Sequence, residues 1–506
     1  MKILGIPDKF SVETESGIEG DAKLRFEESD SSLCVYLSSN TEKPRFVRLT
    51  WYTETDTDAL LLGDTWERSY GDLAWEILAS KFVAPWYFLC QQDDDITAVG
   101  VKVRPNAFVS FTVTPTEISA MLDVRNGGSG VELGGRELLA AEFVGQKYSG
   151  SPYQALSDFC GVMCNDPILP NQPIYGGNNW YYAYGKSSKN EILNDALYQS
   201  ELAGDAENRP FMVIDDGWQI NPHMGPWVPN ESFGDMTEIA RQMKNIGVRP
   251  GIWVRFLDDK NNDIPLDWRL SGCEAAKGKL DPTIPQVKEY IASVIATIKK
   301  WGYELIKHDF TFYDVFGAYS FRFSNEKVGY DGWSFYDKTK TTAEILKELY
   351  KLILDCAGDT LILGCNTVSH LSAGLVHIYR TGDDTSGTDW QRVCKYGVNT
   401  LAFRLAQHKK FYAVDADCVG IKDIPWSDNV KWLELLAKSG TPLFVSLPKD
   451  SLDSEQFSIM QRAYERASKQ EDVLIPIDWE ENKVPEVWSV NGEINHFDWN
   501  YIEPRE

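Results

Sequence analysis

Four apolar runs of this 506-residue sequence end in carboxylates: Val213-Ile214-Asp215-Asp216-Gly217-Trp218-Gln219, Leu305-Ile306-Lys307-His308-Asp309-Phe310, Ile378-Tyr379-Arg380-Thr381-Gly382-Asp383-Asp384 and Val414-Asp415-Ala416-Asp417. One such Asp is explained well enough as the cap of a following helix or as a solvated side chain. Four runs with the same habit point to chemistry. Side chains alternate along a strand, so Lys307 and Asp309 share one face and His308 takes the other. A cation beside Asp309 would lower its pKa and keep it ionised at neutral pH, as a nucleophile requires. Arg380, Gly382 and Asp384 share a face in the same way. One ionised and one protonatable carboxylate from different strands are what cleavage of a glycosidic bond needs. Trp180, Tyr182, Tyr184, Trp218 and Trp253 lie at or near the ends of such runs. Aromatic faces there suit the C–H face of a pyranose, and they suit barrel core equally well. His308 reads as a packed residue. With six His and no HExxH-like cluster, a metal hydrolase is poorly supported, and Cys160 and Cys164 read as core thiols.

The elements that must carry these groups can be counted. Apolar runs at 177–184, 211–218, 249–256, 304–310, 360–365, 376–383, 411–417 and 442–447 alternate with helical patterns at 191–202, 236–246, 284–301, 342–356, 390–407, 429–438 and 455–468. That rhythm predicts a (β/α)8 barrel over 174–468, whose reactive groups belong at the C-terminal ends of strands. An open doubly wound sheet is the competing architecture, weakened by the lack of a Gly-rich phosphate fingerprint after the first strand. Upstream, short alternating segments and polar turns such as 126–130 predict an antiparallel β-sandwich over 1–150, joined by a helical linker over 151–173. A short β segment over 469–506 completes the expectation, because Trp479, Trp488 and Trp499 want burial. The polar and aromatic stretch 63–72 reads either as a loop leaning over the barrel mouth or as a packing cluster between domains.

Composition bounds the partners. Fifty basic and seventy-five acidic residues leave a formal charge of −25, which disfavours nucleic acid and anionic membrane surfaces. The apolar Ile3-Leu4-Gly5-Ile6 is too short for a secretory core, and no run is long enough to span a bilayer. Nine dispersed Cys suggest reduced thiols and a cytoplasmic location, and a homo-oligomer is compatible with everything above.

Ile214-Asp215-Asp216-Gly217-Trp218-Gln219, Lys307-His308-Asp309 and Arg380-Thr381-Gly382-Asp383-Asp384, taken in order on strands two, four and six, resemble the clan D glycosidases. These are the melibiase-type α-galactosidases of glycoside hydrolase families 36 and 27 and the raffinose-synthase-like proteins. The resemblance covers 174 to about 468. It implies a retaining double displacement on an oligosaccharide or other glycoside, without metal or organic cofactor. Asp309 is then the nucleophile and Asp384, four residues after Arg380, the acid/base, with Asp383 as the less well fitting alternative. Asp215 and Asp216 resemble the pair that grips the 4- and 6-hydroxyls of galactose. Lys307 and Arg380 would touch sugar hydroxyls or the nucleophile, and Trp218, Trp253, Asn366 and Tyr182 complete the implied substrate-binding set. Two departures bear on the sugar. Trp253-Val254-Arg255-Phe256 replaces a Trp-x-Glu-Pro-Glu pattern, so Arg255 either pairs with a clustered Asp or binds an anionic substrate. Gly364-Cys365-Asn366-Thr367 replaces a Gly-rich loop near the sugar's 2-position, which leaves 2-hydroxyl and 2-acetamido sugars both open. Hydrolysis of α-galactosides, glycosyl transfer of the raffinose-synthase type and non-catalytic sugar binding are the competing functions. The intact pair Asp309 and Asp384 argues against the last.

Overall fold

The computed structural model describes residues 5–470 and 473–503. Met1–Leu4, on which the reading of the N-terminal apolar stretch partly rests, and residues 471–472 and 504–506 of the expected C-terminal segment lie outside them.

The buried, near-continuously apolar runs pair in parallel as a closed barrel. Its strands are β1 Tyr175–Asn178, β2 Phe211–Ile214, β3 Arg249–Val254, β4 Leu305–His308, β5 Leu361–Gly364, β6 Ile378–Arg380, β7 Ala413–Asp415 and β8 Leu443–Ser446. Each pairs with the next through β7, and β1 pairs with β8. Closure between β7 and β8 is indirect. Asp417 takes a left-handed conformation (φ 74°), and the chain resumes as Cys418–Gly420, which pairs with β8. Helices cover the outside. Met236–Ile246 begins at its Asp235 cap and ends at left-handed Gly247, as pattern and capping chemistry predict. The expected helix 390–407 is helical in several pieces, with a π segment at Val393–Val398. The first strand is shorter than expected. The Asn178 side chain accepts the Trp180 N–H (2.8 Å), and the chain turns into the one-turn helix Trp180–Ala183.

The N-terminal part is a sandwich of a five-stranded and a seven-stranded antiparallel sheet. Leu33, Val35 and Leu37 of Ser32–Ser38 point inward in strict alternation. Rings close the space between the sheets, with Phe143 meeting both Trp51 and Phe111 at 5.8 Å. Pro152–Met163 forms the expected helix and buries Leu156, Phe159 and Cys160. At the other end Ile475–Pro476, Val487–Val490 and Glu493–His496 make a small antiparallel sheet. Trp479, Trp488 and Trp499 are buried, and Trp479 meets Trp75 of the sandwich and Phe403 of the barrel. All nine Cys are unpaired. Among the described residues no helix is long and apolar enough to cross a membrane.

Candidate active site

On β4, alternation sends Lys307 into the barrel and His308 out against Phe256 and Tyr350, where burial pushes the imidazole down to about 3. Asp309 follows the last strand residue, and Phe310 turns the chain at once in a left-handed conformation (φ 63°). The Asp309 carboxylate accepts the Phe310 N–H (2.7 Å) and the Trp253 indole N–H (3.2 Å). The expected cation is placed differently. The Lys307 ammonium sits 2.6 Å from Asp215 Oδ2, and the charge of Asp215 overrides burial and raises its pKa. Donors, rather than a directly bonded ammonium, therefore hold the Asp309 carboxylate.

Asp215 and Asp216 end β2 as a braced pair. Asp215 also accepts from Asn178 Nδ2 (2.6 Å), and its backbone N–H donates to Asn179 Oδ1 (2.7 Å). Asp216 accepts from Gln219 Nε2 (2.6 Å) and the His223 N–H (3.0 Å), and its carboxylate meets the His223 ring. Burial lifts the Asp216 pKa against these donors.

The end of β6 is completed from the sandwich. Residues 64–70 follow the strand Leu60–Gly63 and lie along the barrel, anchored where Arg404 pairs with buried Asp64 (2.5 Å). The Ser69 N–H donates to Thr381 O (2.8 Å), and the Asp383 N–H donates to Ser69 O (2.9 Å). On its other side Gly382 lets the helical segment Val393–Arg404 pack close, since a Cβ there would come 2.1 Å from Tyr396 O. Through the Ser69 contacts Arg68 reaches the acids, 2.9 Å from Asp383 and 3.7 Å from Asp384. Arg392 adds a contact to Asp383 (3.4 Å) and donates to the Asp384 carbonyl (2.8 Å). The two carboxyls are pushed in opposite directions. Burial, helped by the Asp384 charge, raises Asp383. Burial also opposes the charge of Asp384, but Arg68, Arg380, Lys307 and Arg392 outweigh it and hold Asp384 below the usual range.

A cavity of about 330 Å³ opens over these groups, with Asp215, Asp216, Trp253, Lys307, Asp309 and Asp384 on its wall. Trp180, Asp383, Arg68 and Tyr70 line it too. Four expected wall residues are elsewhere. Trp218 is fully buried, donates its indole N–H to Trp253 O (2.9 Å) and packs between Trp227 and Trp301. Tyr182 bonds Asp195 from the turn that replaced the strand end. Asn366 is buried, donating to Glu67 and accepting the Tyr313 N–H (3.1 Å). Arg380 lies beneath the wall, spanning Asp415 (3.2 Å), Asp417 (2.8 Å) and Asp384 (3.4 Å). It thus touches the acid rather than the sugar space. Arg255 pairs with buried Asp314 (2.5 Å) and stacks over Phe310, which removes it as a ligand for an anionic substrate. His223, Phe310, Tyr319, Phe321 and Arg392 were not singled out by sequence. His223, Phe310 and Tyr319 sit on loops whose course no periodicity encodes, whereas Phe321 lies in the 3-10 turn Ser320–Arg322 and Arg392 ends the short helix Trp390–Arg392, whose pattern does not say which side chain reaches the acids. Two roomier grooves, about 670 and 870 Å³, lie among the outer helices away from the strand ends and hold none of these acids.

Among the described residues no group of three or more His, Cys, Asp or Glu is placed to hold a metal ion.

No protein-family model matches the chain. Its fold is similar to that of TtGalA, an α-galactosidase from Thermus thermophilus solved with p-nitrophenyl α-D-galactopyranoside. There the TM-score is 0.65 and identity 16%, over 94% of this chain and 96% of that one. The GH36 α-galactosidase AgaA from Geobacillus stearothermophilus matches with a TM-score of 0.65 and 13% identity, over 92% of this chain and 70% of that one. A GH31 dextranase from Flavobacterium johnsoniae, complexed with glucose, matches at 0.54 and 11%, over 88% and 60%. At these identities the likeness is one of fold.

Proposed function

We propose that the chain is a retaining exo-α-glycosidase of the clan D, family 36 and 27 kind, acting on terminal α-galactosides. The observation that carries the reading is that Asp309 and Asp384, from the ends of β4 and β6, open onto one cavity walled by Asp215, Asp216 and Lys307. The likeness in fold to α-galactosidases, one of them solved with an α-galactoside, supports the choice of sugar. In this mechanism an Asp309 oxygen attacks the anomeric carbon while the bond to the leaving oxygen breaks and Asp384 protonates that oxygen. Asp384 then takes a proton from water as the water attacks the glycosyl ester, which releases the sugar and frees Asp309. In this reading Asp215 and Asp216, with Lys307 neutralising one of them, accept hydrogen bonds from hydroxyls of the bound sugar, a role supported by their position on the cavity wall.

A second assignment gives the acid/base role to Asp383. Its raised pKa favours it, but its carboxylate is held by Arg68 and Arg392. A third outcome leaves both residues as assigned and passes the glycosyl unit to a sugar instead of water. The unpaired thiols fit a cytoplasmic enzyme working on oligosaccharides. The test is release of chromophore from α-galactoside, α-N-acetylgalactosaminide and β-L-arabinopyranoside, with product analysis in excess acceptor sugar. We expect the α-galactoside to be cleaved best and water to be the acceptor. No release from a correctly folded protein would remove the proposed function.

A further inference from the structure

We infer that Arg68, which the sandwich delivers to the mouth of the barrel, is a positioning residue for Asp384: its guanidinium fixes where that carboxyl stands and steadies the charge it gains on giving up its proton. The inference rests on the reading of Asp384 as acid/base and deepens it. Asp384 lies beyond Arg380, the last residue of β6, so the strand does not aim its side chain. Two guanidiniums hold the carboxyl instead. Arg380 donates to Oδ1 at 3.4 Å, and Arg68 faces the same oxygen from the sandwich at 3.7 Å. Arg380 is shared with Asp415 and Asp417, and Arg392 meets Asp384 at its backbone carbonyl (2.8 Å).

The place of Arg68 is fixed independently of Asp384. Its neighbour Ser69 is tied by backbone hydrogen bonds to Thr381 and Asp383, and its guanidinium lies 5.3 Å over the Tyr319 ring. The three nitrogens divide their work. Nε donates to the Tyr70 hydroxyl (3.4 Å) and Nη2 pairs with Asp383 (2.9 Å), which leaves Nη1 for Asp384. At 3.7 Å that last contact is longer than a hydrogen bond, so the carboxyl is free to take up a proton and pass it on. When the glycosidic bond breaks, the proton goes from Asp384 to the leaving oxygen and the electron pair stays on the carboxylate. A fixed cation beside it favours the charge so formed. Burial opposes charge on Asp384, and Arg68 heads the cations that outweigh it, ahead of Arg380, Lys307 and Arg392. Asp383, Tyr181 and Tyr319 also face this carboxyl.

The test reads kcat/KM against pH for melibiose, whose leaving group needs a proton, and for α-galactosyl fluoride, whose leaving group needs none. Arg68→Gln should lower the melibiose value about tenfold or more, leave the fluoride within about twofold, and move the alkaline limb of the melibiose profile up by about one pH unit. The sign follows from removing a cation: Asp384 holds its proton more tightly, so the acid survives to higher pH and donates less readily. Arg68→Lys, which keeps the charge, should leave the limb near its wild-type position. Equal losses on both substrates with an unmoved limb would make Arg68 a packing residue and overturn the inference. A Gln variant indistinguishable from the wild type overturns it too, and so does a Lys variant that matches the Gln variant. Arg68→Met repeats the test if the Gln variant does not fold, as a melting midpoint reveals, and failure of both to fold makes Arg68 a structural anchor and sinks the inference. A wild-type protein that turns over neither compound overturns the underlying function instead, which separates the two failures.

Discussion

At the scale of single residues, the acids were legible because strand ends collect them, and the lysine was legible because β4 alternates. Asp215, Asp216, Lys307, Asp309 and Asp384 all reach the cavity. The residues that went astray share a cause. Trp218, Tyr182 and Asn366 lie beyond the last paired residue of their strands, where period-two alternation no longer sets direction. Their side chains then follow the nearest polar partner, Trp253 O, Asp195 and Glu67 respectively. Arg68 shows the converse. Its stretch, 63–72, reads as a loop over the barrel mouth or as packing between domains, and nothing in that stretch says which side chain reaches the acids, yet Arg68 bonds Asp383 at 2.9 Å. The Asp383–Asp384 pair makes a sharp prediction about the acid. Asp384→Ala should slow substrates with poor leaving groups by at least about 100-fold while sparing activated phenyl glycosides, since these need little protonation. Asp383→Ala should affect both kinds alike. The reverse pattern, read from kcat/KM across a leaving-group series, would move the acid/base role to Asp383.

At the scale of elements, helices were the best-predicted features, because caps such as Asp235 and Gly247 are chemical stops that a sequence displays. Strand ends overshot where a side chain turned the backbone, as Asn178 does before Trp180. The break in β7 was invisible for a different reason. Val414-Asp415-Ala416-Asp417 reads as one strand, and only its left-handed Asp417 splits it. That break has a use. The Asp417 carboxylate accepts the Thr385 N–H (2.8 Å) and pairs with Arg380 (2.8 Å), so it braces the chain on both sides of Asp384. Asp417→Asn keeps the shape but weakens the pairing to Arg380. We expect it to cut kcat for melibiose about tenfold or more, with a smaller loss on α-galactosyl fluoride, which needs less help from the acid. Equal losses on the two substrates would make Asp417 a packing residue only.

At the scale of the whole molecule, the sandwich supplies part of the cavity wall, because residues 64–70 lie along the mouth of the barrel and Arg68 and Tyr70 line the cavity. The junction also carries a pH signature. Burial pushes Glu67 up to about 7 from an ordinary 4.5, against the opposing charge of Arg68 and its hydrogen bonds. Between those values the folded chain holds a proton that the unfolded chain has released, so stability must fall as pH rises through the window and level off above it. The size is on the order of 3 kcal/mol, and Asp195 and Asp314, each raised to about 6 mainly by burial, act in the same direction. Urea unfolding from pH 4.5 to 8 should therefore show a shallower decline in Glu67→Gln than in the wild type, and equal slopes would contradict the placement of that charge. The formal charge of −25, by contrast, says little about the site, since only a few of the seventy-five acids face the cavity. Whether Asp309 attacks the anomeric carbon is decided by Asp309→Ala with an activated α-galactoside and added azide. Hydrolysis should be almost completely lost and, with azide, β-galactosyl azide should form, because the small anion enters from the face the carboxylate vacates. Hydrolysis persisting near the wild-type rate, or an α-configured azide product, would contradict attack by Asp309.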